Sequence, residues 1–173
     1  MPAAGIIFGG GFPRGDTLGL RRAAQHAIFY VQRELEESAE TDNPAVVLCD
    51  RGTVDSAAYW PGPDELWSSV GMTLEKQLLR YDAVIHLRTP PPERGYNHQN
   101  LLRTESAAAA AEIDERLLRA WAQHPRRFII GPSQNFLEKA SRALHILRGE
   151  MPECCRHRAV PATGGGKSAV SGK

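Results

Sequence analysis

The sequence has 173 residues, of which 42% are hydrophobic and 24% charged, as is typical of one globular domain with a buried core. A formal net charge of +1 gives no support to a nucleic-acid partner, and no apolar run reaches the roughly 18 residues of a membrane-spanning helix. Three cysteines do not make a secreted disulfide framework and no signal peptide opens the chain, so we expect a cytoplasmic protein.

The first part of the chain predicts a loop and then a long helix. Gly9-Gly10-Gly11 is not followed by Gly-Lys-Ser/Thr, so we interpret it as a flexible turn and not as a phosphate loop. Over residues 18–39, apolar residues recur at spacings of three and four, which predicts an amphipathic helix. The predicted inward stripe is Ala24, Ile28, Val31 and Leu35, with Gln32 and Glu36 on other faces.

An unbroken apolar run, Val46-Val47-Leu48-Cys49, leads directly into Asp50-Arg51-Gly52. Such a run predicts a strand that is buried on both faces, as in a parallel sheet flanked by helices. Asp50 and Arg51 would then stand at the carboxyl end of the strand, where open α/β sheets bind their ligands. An acid there can hold a metal or its water, and a guanidinium suits a phosphate. The alternative is a solvated Asp-Arg pair that begins a turn.

Three short helices are predicted after Gly52, over residues 54–60, 64–70 and 74–81. Asp55 would lie near the start of the first, within reach of the same strand end. Asp64 and Thr73 are the expected caps of the second and third. Trp60 and Trp67 are interpreted as packing residues and not as platforms for base stacking.

A second buried strand is predicted over residues 82–87, and Arg88 follows it as Arg51 follows the first. His86, inside this strand, is expected to be a hydrogen-bonded core histidine. Residues 89–104 are polar and long for a connection within a domain; such loops are usually functional lids or disordered. Arg94 and Arg103 would give a lid the cations needed to close over phosphates.

The remaining pattern predicts a helix over residues 105–124, a strand over 128–130 and a helix over 133–149. Alternating strands and helices indicate a parallel sheet with helices on both faces, here with three recognisable strands. The domain is expected to end near residue 150, with residues 151–173 as a flexible tail. The last helix is predicted to face inward with Phe136, Leu137, Ala140, Leu144 and Leu147.

Several of these segments together carry a family resemblance. They are Asp50-Arg51-Gly52 with Asp55 and Ala58-Tyr59-Trp60, then residues 81–91, Gly95-Tyr96-Asn97, and Leu102-Arg103-Thr104-Glu105-Ser106. In this order they resemble the small P-loop ATPases of the AAA type. That group is related to the kinase-like domain of the bacterial NAD regulator NadR and to the animal TRPL-translocation-defect proteins. The resemblance runs from about Gly10 to Cys155.

The resemblance implies a three-layer, kinase-like P-loop fold that binds ATP or GTP with Mg²⁺. Asp50 would match the catalytic acid that acts through Mg²⁺, and Arg103 a lid arginine that neutralises charge during phosphoryl transfer. Arg51, Arg88 and Asp55 would complete the nucleotide-binding set. The phosphoryl acceptor would be a small molecule or a protein of unknown identity.

The chain departs from the family pattern at its start. The family opens with a strand, a Gly-rich loop that ends in Gly-Lys-Ser/Thr, and a helix, and these are not recognisable here. We therefore expect an incomplete domain that binds nucleotide weakly or not at all, and we explain it by a misassigned start codon. A circular permutation that uses Gly164-Gly165-Gly166-Lys167-Ser168 is less favoured, because Pro161 stands where the motif needs its first glycine.

Two functions remain open at this point. The chain is a P-loop NTPase or small-molecule kinase-like enzyme, or it is a non-catalytic binding module. The binding module would keep the fold and need a partner to cover the open sheet.

Overall fold

The structure is a computed structural model that describes residues 3–89, 107–132 and 136–156. The elements over these residues are α1 (Ala3–Gly9), α2 (Leu18–Glu40), α3 (Asp55–Tyr59), α4 (Leu66–Val70), α5 (Leu74–Leu78), β1 (Val84–Leu87), α6 (Ala107–Ala120), β2 (Arg127–Ile130), α7 (Phe136–Glu150) and α8 (Glu153–Arg156). None of the helices described is long and apolar enough to cross a membrane. The predicted lid and most of the predicted tail lie outside the described residues.

Local capping explains where several helices begin and end. The side chains of Thr17 and Thr73 accept hydrogen bonds from backbone N–H groups in the first turns of α2 and α5, both at 3.3 Å. Gly71 closes α4 in the left-handed conformation, with φ at 66°. The predicted cap at Asp64 is wrong: Glu65 occupies the N-cap of α4, and the Asp64 carboxylate instead pairs with Arg22 at 2.7 Å.

The sheet described consists of β1 and β2, which pair in parallel. Their register places Val84 opposite Arg127 and Leu87 opposite Ile130, and α6 lies in the connection between them. A strand, a helix and a parallel strand form the expected βαβ unit. The wider three-layer sheet stays a prediction.

The strand predicted at Val46–Cys49 is wrong, because this run forms no regular secondary structure. Val46 and Val47 are half-buried, and the Leu48 side chain is 67% exposed. A strand requires a neighbouring strand to pair with its backbone groups, and within the described part of the chain β1 and β2 pair only with each other.

The core lies between α2 and the three short helices α3, α4 and α5, and it includes Trp121. Its fully buried members include Phe29, Val54 and Leu66. Trp60 and Trp67 are also buried in this cluster, as predicted. The core thus packs the segment that follows Gly52 firmly against α2.

The buried face of α2 differs from the prediction. Ala24 is buried as expected, but Leu35 is 38% exposed, whereas Gln32 and Glu36 are buried. Their positions repeat at intervals of four from Ala24, so they lie on the same side of the helix. Two polar side chains can occupy this face because hydrogen bonds satisfy them there.

The predicted inward face of α7 is also wrong in large part. Phe136, Leu137 and Leu144 are each more than half exposed, and none of the α7 residues is buried. Two strands offer α7 only a narrow apolar surface, so polar contacts hold it. Lys139 donates to the backbone carbonyl of Arg88, and Glu150 pairs with Arg126 at 2.6 Å.

Candidate functional site

Residues 50–55, named here the Asp50–Asp55 turn, lead from the exposed run into α3. The backbone N–H of Asp55 donates to the Gly52 carbonyl at 3.1 Å, and this bond starts the helix. The Asp50 carboxylate is exposed. The Arg51 guanidinium lies 3.5 Å from the Asp55 carboxylate and is about half exposed. The turn therefore presents one acid and one cation to solvent, side by side in sequence.

The Asp55 side chain, 14% exposed, lies beneath this exposed pair. The indole Nε1–H of Trp121 donates to Asp55 Oδ1 at 2.6 Å, and Arg51 approaches Oδ2. Burial raises the pKa of Asp55, although the bonds from Trp121 and Arg51 oppose that shift. Asp55 acts as an anchor that joins the turn to the residue that follows α6.

Arg51 remains a cation at every physiological pH. Burial acts to lower the pKa of Arg51, but nearby Tyr59, Asp55 and Asp50 outweigh burial and raise it. The side chain can therefore offer a permanent positive charge to an anionic ligand.

Gly52 fits the turn against two aromatic rings. A Cβ at this position would lie 2.9 Å from the Trp121 ring and 3.0 Å from the Tyr81 ring. These two rings pack edge to face, with centroids 5.0 Å apart. Only a residue without a side chain allows the backbone of the turn to approach so closely.

A buried polar network supports the turn from below. Gln32 Nε2 donates to the Arg51 carbonyl at 2.7 Å and to Glu36 at 2.9 Å. Glu36 also accepts from Tyr81 Oη at 3.0 Å and pairs with Arg80 at 3.0 Å. These hydrogen bonds fix the backbone of the turn, because leaving Gln32 or Glu36 unpaired would be costly. Among the described residues, the buried Nε of Arg80 has no acceptor.

Tyr81 joins this network to the start of α3. Its hydroxyl oxygen accepts a hydrogen bond from the backbone N–H of Thr53 at 2.6 Å. Burial is the main cause that raises the pKa of Tyr81, so the phenol stays protonated and donates to Glu36. The sequence interpretation missed this role, although Gln32 and Glu36 at intervals of four from Ala24 offered a signal.

Arg88 lies at the carboxyl end of β1 but contacts α6 and not the turn. Its Nε donates to Asp114 at 2.5 Å, and its terminal nitrogen pairs with Glu115. The buried Asp114 carboxylate also accepts from His86 Nε2 at 2.9 Å and from the Thr89 backbone N–H at 3.3 Å. His86 is therefore a hydrogen-bonded core histidine, as predicted.

The structure brings together three of the five predicted site residues. Asp50, Arg51 and Asp55 share one turn, and Arg88 is engaged by two carboxylates of α6. Arg103 lies outside the described residues, as do Tyr96, Asn97 and the Gly164–Ser168 motif. Trp121, which anchors Asp55, is a site residue that the sequence interpretation assigned only to packing.

The carboxylates of the described residues could hold Mg²⁺ only together with the phosphate oxygens of a bound nucleotide. No group of three His, Cys, Asp or Glu side chains that could hold a metal exists within residues 3–89, 107–132 and 136–156. Asp55 and Asp114 are occupied by hydrogen bonds, which leaves Asp50 as the free carboxylate. Mg²⁺ commonly uses one or two carboxylates together with water and phosphate oxygens, and Asp50 meets that need.

A parallel βαβ unit is a building block of α/β proteins. Comparison with protein families agrees with this class. The family model described as "AAA domain" matches residues 2–139, and the chain belongs to this family. At family level it is thus a nucleotide-binding, P-loop NTPase-like domain of α/β fold. Curated proteins and solved structures gave no significant match.

Proposed function

We propose that this chain binds ATP or GTP with Mg²⁺ at the Asp50–Asp55 turn, as a P-loop NTPase or small-molecule kinase-like domain. One observation carries the proposal: an exposed acid and an exposed cation stand on a turn whose backbone is fixed by buried groups. Binding sites are built in this way, from groups that packing and hydrogen bonds beneath them hold in place.

Each residue of the turn has a separate role in this proposal. Asp50 would hold Mg²⁺, which when bound would neutralise phosphate charge. Arg51 contacts a phosphate oxygen as a permanent cation. Asp55 is a positioning residue, because its carboxylate is already shared between Trp121 and Arg51.

The two remaining arginines of the proposal, Arg88 and Arg103, do not belong to the Asp50–Asp55 turn. Arg88 can reach a phosphate only by exchanging Asp114 and Glu115 for the ligand. Arg103 is proposed as the lid arginine on the resemblance alone, because it lies outside the described residues. The catalytic pair of the proposal is thus Asp50 and Arg103.

We propose that affinity for nucleotide is weak in this chain. The described residues contain no Gly-Lys-Ser/Thr loop, whose backbone N–H groups and lysine hold most of the triphosphate charge in P-loop proteins. Asp50 and Arg51 alone supply a single ion site and a single cation. Saturation is expected only at millimolar nucleotide, with little thermal stabilisation.

Titration calorimetry with ATP and GTP, with and without Mg²⁺, tests the proposal. Wild type should show weak binding that requires Mg²⁺, and Asp50→Asn should reduce the affinity by at least about tenfold. Asp42→Asn is the matched control, since Asp42 is an exposed acid in the turn after α2. Binding that is equal in Asp50→Asn and wild type would remove Asp50 from the site.

A specific observation also favours the second function, a binding module whose partner covers the open sheet. Large apolar side chains are exposed along the run before Asp50, on both strands and on α7: Leu48, Leu87, Ile129, Phe136, Leu137 and Leu144. Burial of such a set stabilises an interface. Light scattering of the purified chain separates the two functions: a stable dimer without Mg²⁺–nucleotide binding favours the module, and a monomer that binds nucleotide contradicts it.

A further inference from the structure

A cavity lies beside the C-terminal half of α3, whereas the Asp50–Asp55 turn leads into the first residue of this helix. It has a volume of about 410 Å³ and lies between the start of α2, the end of α3 and the middle of α6. Its lining consists of Arg21, Ala57, Ala58, Trp60, Pro61, Gly62 and Arg116. Small residues form its base, and two arginines are its charged groups.

The wall of this cavity is fixed in place by Arg22. The Arg22 guanidinium donates to the Pro61 carbonyl at 3.3 Å, pairs with Asp64 at 2.7 Å and lies over the Trp60 ring. Gly62 has a φ of 96°, and a Cβ there would lie 2.7 Å from Arg22. The segment from Trp60 to Gly62 is therefore held in a conformation that keeps the cavity open.

The two arginines of the cavity are available to a ligand. Arg21 is exposed and has no acidic partner within the described part of the chain. Arg116 pairs at 2.5 Å with Glu112 of its own helix, and both side chains are substantially exposed. An exposed pair four residues apart contributes little to stability, so a stronger anion can displace Glu112.

Trp60 brings a buried indole to the wall of the cavity. Its side chain is 8% exposed, and its indole Nε1–H has no hydrogen-bond acceptor among the residues that the structure describes. Native proteins keep few buried donors without an acceptor. The indole therefore reports changes in this wall.

We propose that this cavity binds the phosphate group of a phosphorylated small molecule. Two guanidiniums match the two negative charges of a phosphomonoester and can grip its oxygens in a bidentate manner. Asp55 and Tyr59 are the ends of α3, so the cavity is about 6 Å along the helix from the nucleotide turn. A molecule held here would be placed as the phosphoryl acceptor of the nucleotide site, and that role rests on the proposed function. Binding of phosphate in the cavity does not depend on it.

The three tryptophans of the chain allow the two sites to be observed separately by NMR. The indole N–H of Trp60 reports the cavity, that of Trp121 reports Asp55 of the nucleotide turn, and that of Trp67 serves as a reference. Spectra of Trp60→Phe and Trp67→Phe assign the three resonances. Inorganic phosphate is titrated into the full chain at constant ionic strength, and acetate is titrated in parallel.

The Trp60 resonance should shift saturably with inorganic phosphate and hardly at all with acetate. Arg21→Gln and Arg116→Gln should each weaken the apparent affinity by at least about tenfold. Arg119→Gln is the matched control and should bind as wild type does, because Arg119 is an exposed arginine of α6 that does not line the cavity.

Three outcomes would overturn the proposal: equal shifts with acetate, unchanged affinity in both Arg21→Gln and Arg116→Gln, or no shift of Trp60. Failure of the proposed nucleotide function looks different. In that case Trp60 still responds to inorganic phosphate, and Trp121 does not respond to Mg²⁺–nucleotide.

Discussion

Gly52 is the residue where the exposed turn meets the aromatic core, which makes it a sensitive test of the packing. We expect Gly52→Ala to lower the free energy of unfolding by about 1–3 kcal/mol, because the added methyl group overlaps the Trp121 and Tyr81 rings. Urea unfolding followed by circular dichroism measures this change. Gly149→Ala is the control: it adds a methyl group where α7 has open space, and should be neutral or stabilising by up to about 1 kcal/mol. Equal stability of Gly52→Ala and wild type would show that the turn does not pack on these rings.

Asp55 should leave a signature in the pH dependence of stability. Burial is the main cause that raises the pKa of Asp55 above its ordinary value of 3.8, so between the ordinary and the raised pKa the folded state binds more protons than the unfolded state. The contribution of Asp55 to stability is therefore full at lower pH and is lost as the pH rises through the raised pKa. Asp55→Asn keeps an acceptor for Trp121 and removes this titration.

Urea unfolding of wild type and Asp55→Asn at several pH values isolates the effect, because the other carboxylates are common to both proteins. Wild type should lose stability relative to the variant as the pH rises from about 4, by about 1.4 kcal/mol for each unit by which the pKa is raised. A wild type that gains stability relative to Asp55→Asn over this range would contradict burial as the dominant cause.

At the scale of elements, α6 and the residue after it contact both the end of β1 and the Asp50–Asp55 turn. Asp114, on α6, holds the end of β1 through His86, Arg88 and the Thr89 backbone, and Trp121, just after α6, holds Asp55. The same helix and the residue after it thus position the carboxyl end of β1 and the Asp50–Asp55 turn.

Asp114→Ala should be strongly destabilising for this reason. The change leaves the buried His86 ring and part of the Arg88 guanidinium without their acceptor, which costs about 3–5 kcal/mol when a buried pair is broken. Thermal unfolding compared with Glu112→Ala checks this, because the exposed Glu112 should change stability by less than about 0.5 kcal/mol. Similar losses in both variants would mean that Asp114 is not the link.

The sequence predicts the elements that local pattern controls. The periodicity of apolar residues located α2, and turn-forming residues located the boundaries of α3, β1 and β2. Both signals act within a few residues. The apolar run at Val46–Cys49 carries the composition of a buried strand, but strand formation depends on a neighbour. The prediction of a buried face on α7 was wrong for the same reason, because the burial of this helix depends on the width of the sheet it packs against.

At the scale of the whole molecule, the residues of the Asp50–Asp55 turn could be predicted from the sequence, but the distant residues that hold the turn in place could not. Asp50, Arg51 and Asp55 stand within six residues and follow an apolar run, so their order alone suggested a site. The anchor of Asp55 comes from Trp121, 66 residues further along the chain. No local pattern encodes a contact at that separation, and the cavity of Arg21 and Arg116 likewise joins two distant helices.

Nucleotide binding at the Asp50–Asp55 turn is tested most directly by the indole N–H resonance of Trp121, which is bonded to Asp55. Millimolar ATP or GTP should shift this resonance only when Mg²⁺ is present, and the Trp67 resonance should stay in place. The shift should disappear in Asp50→Asn and persist in Asp42→Asn. A Trp121 resonance that ignores Mg²⁺–nucleotide, or that moves equally in Asp50→Asn, would contradict a nucleotide site at this turn.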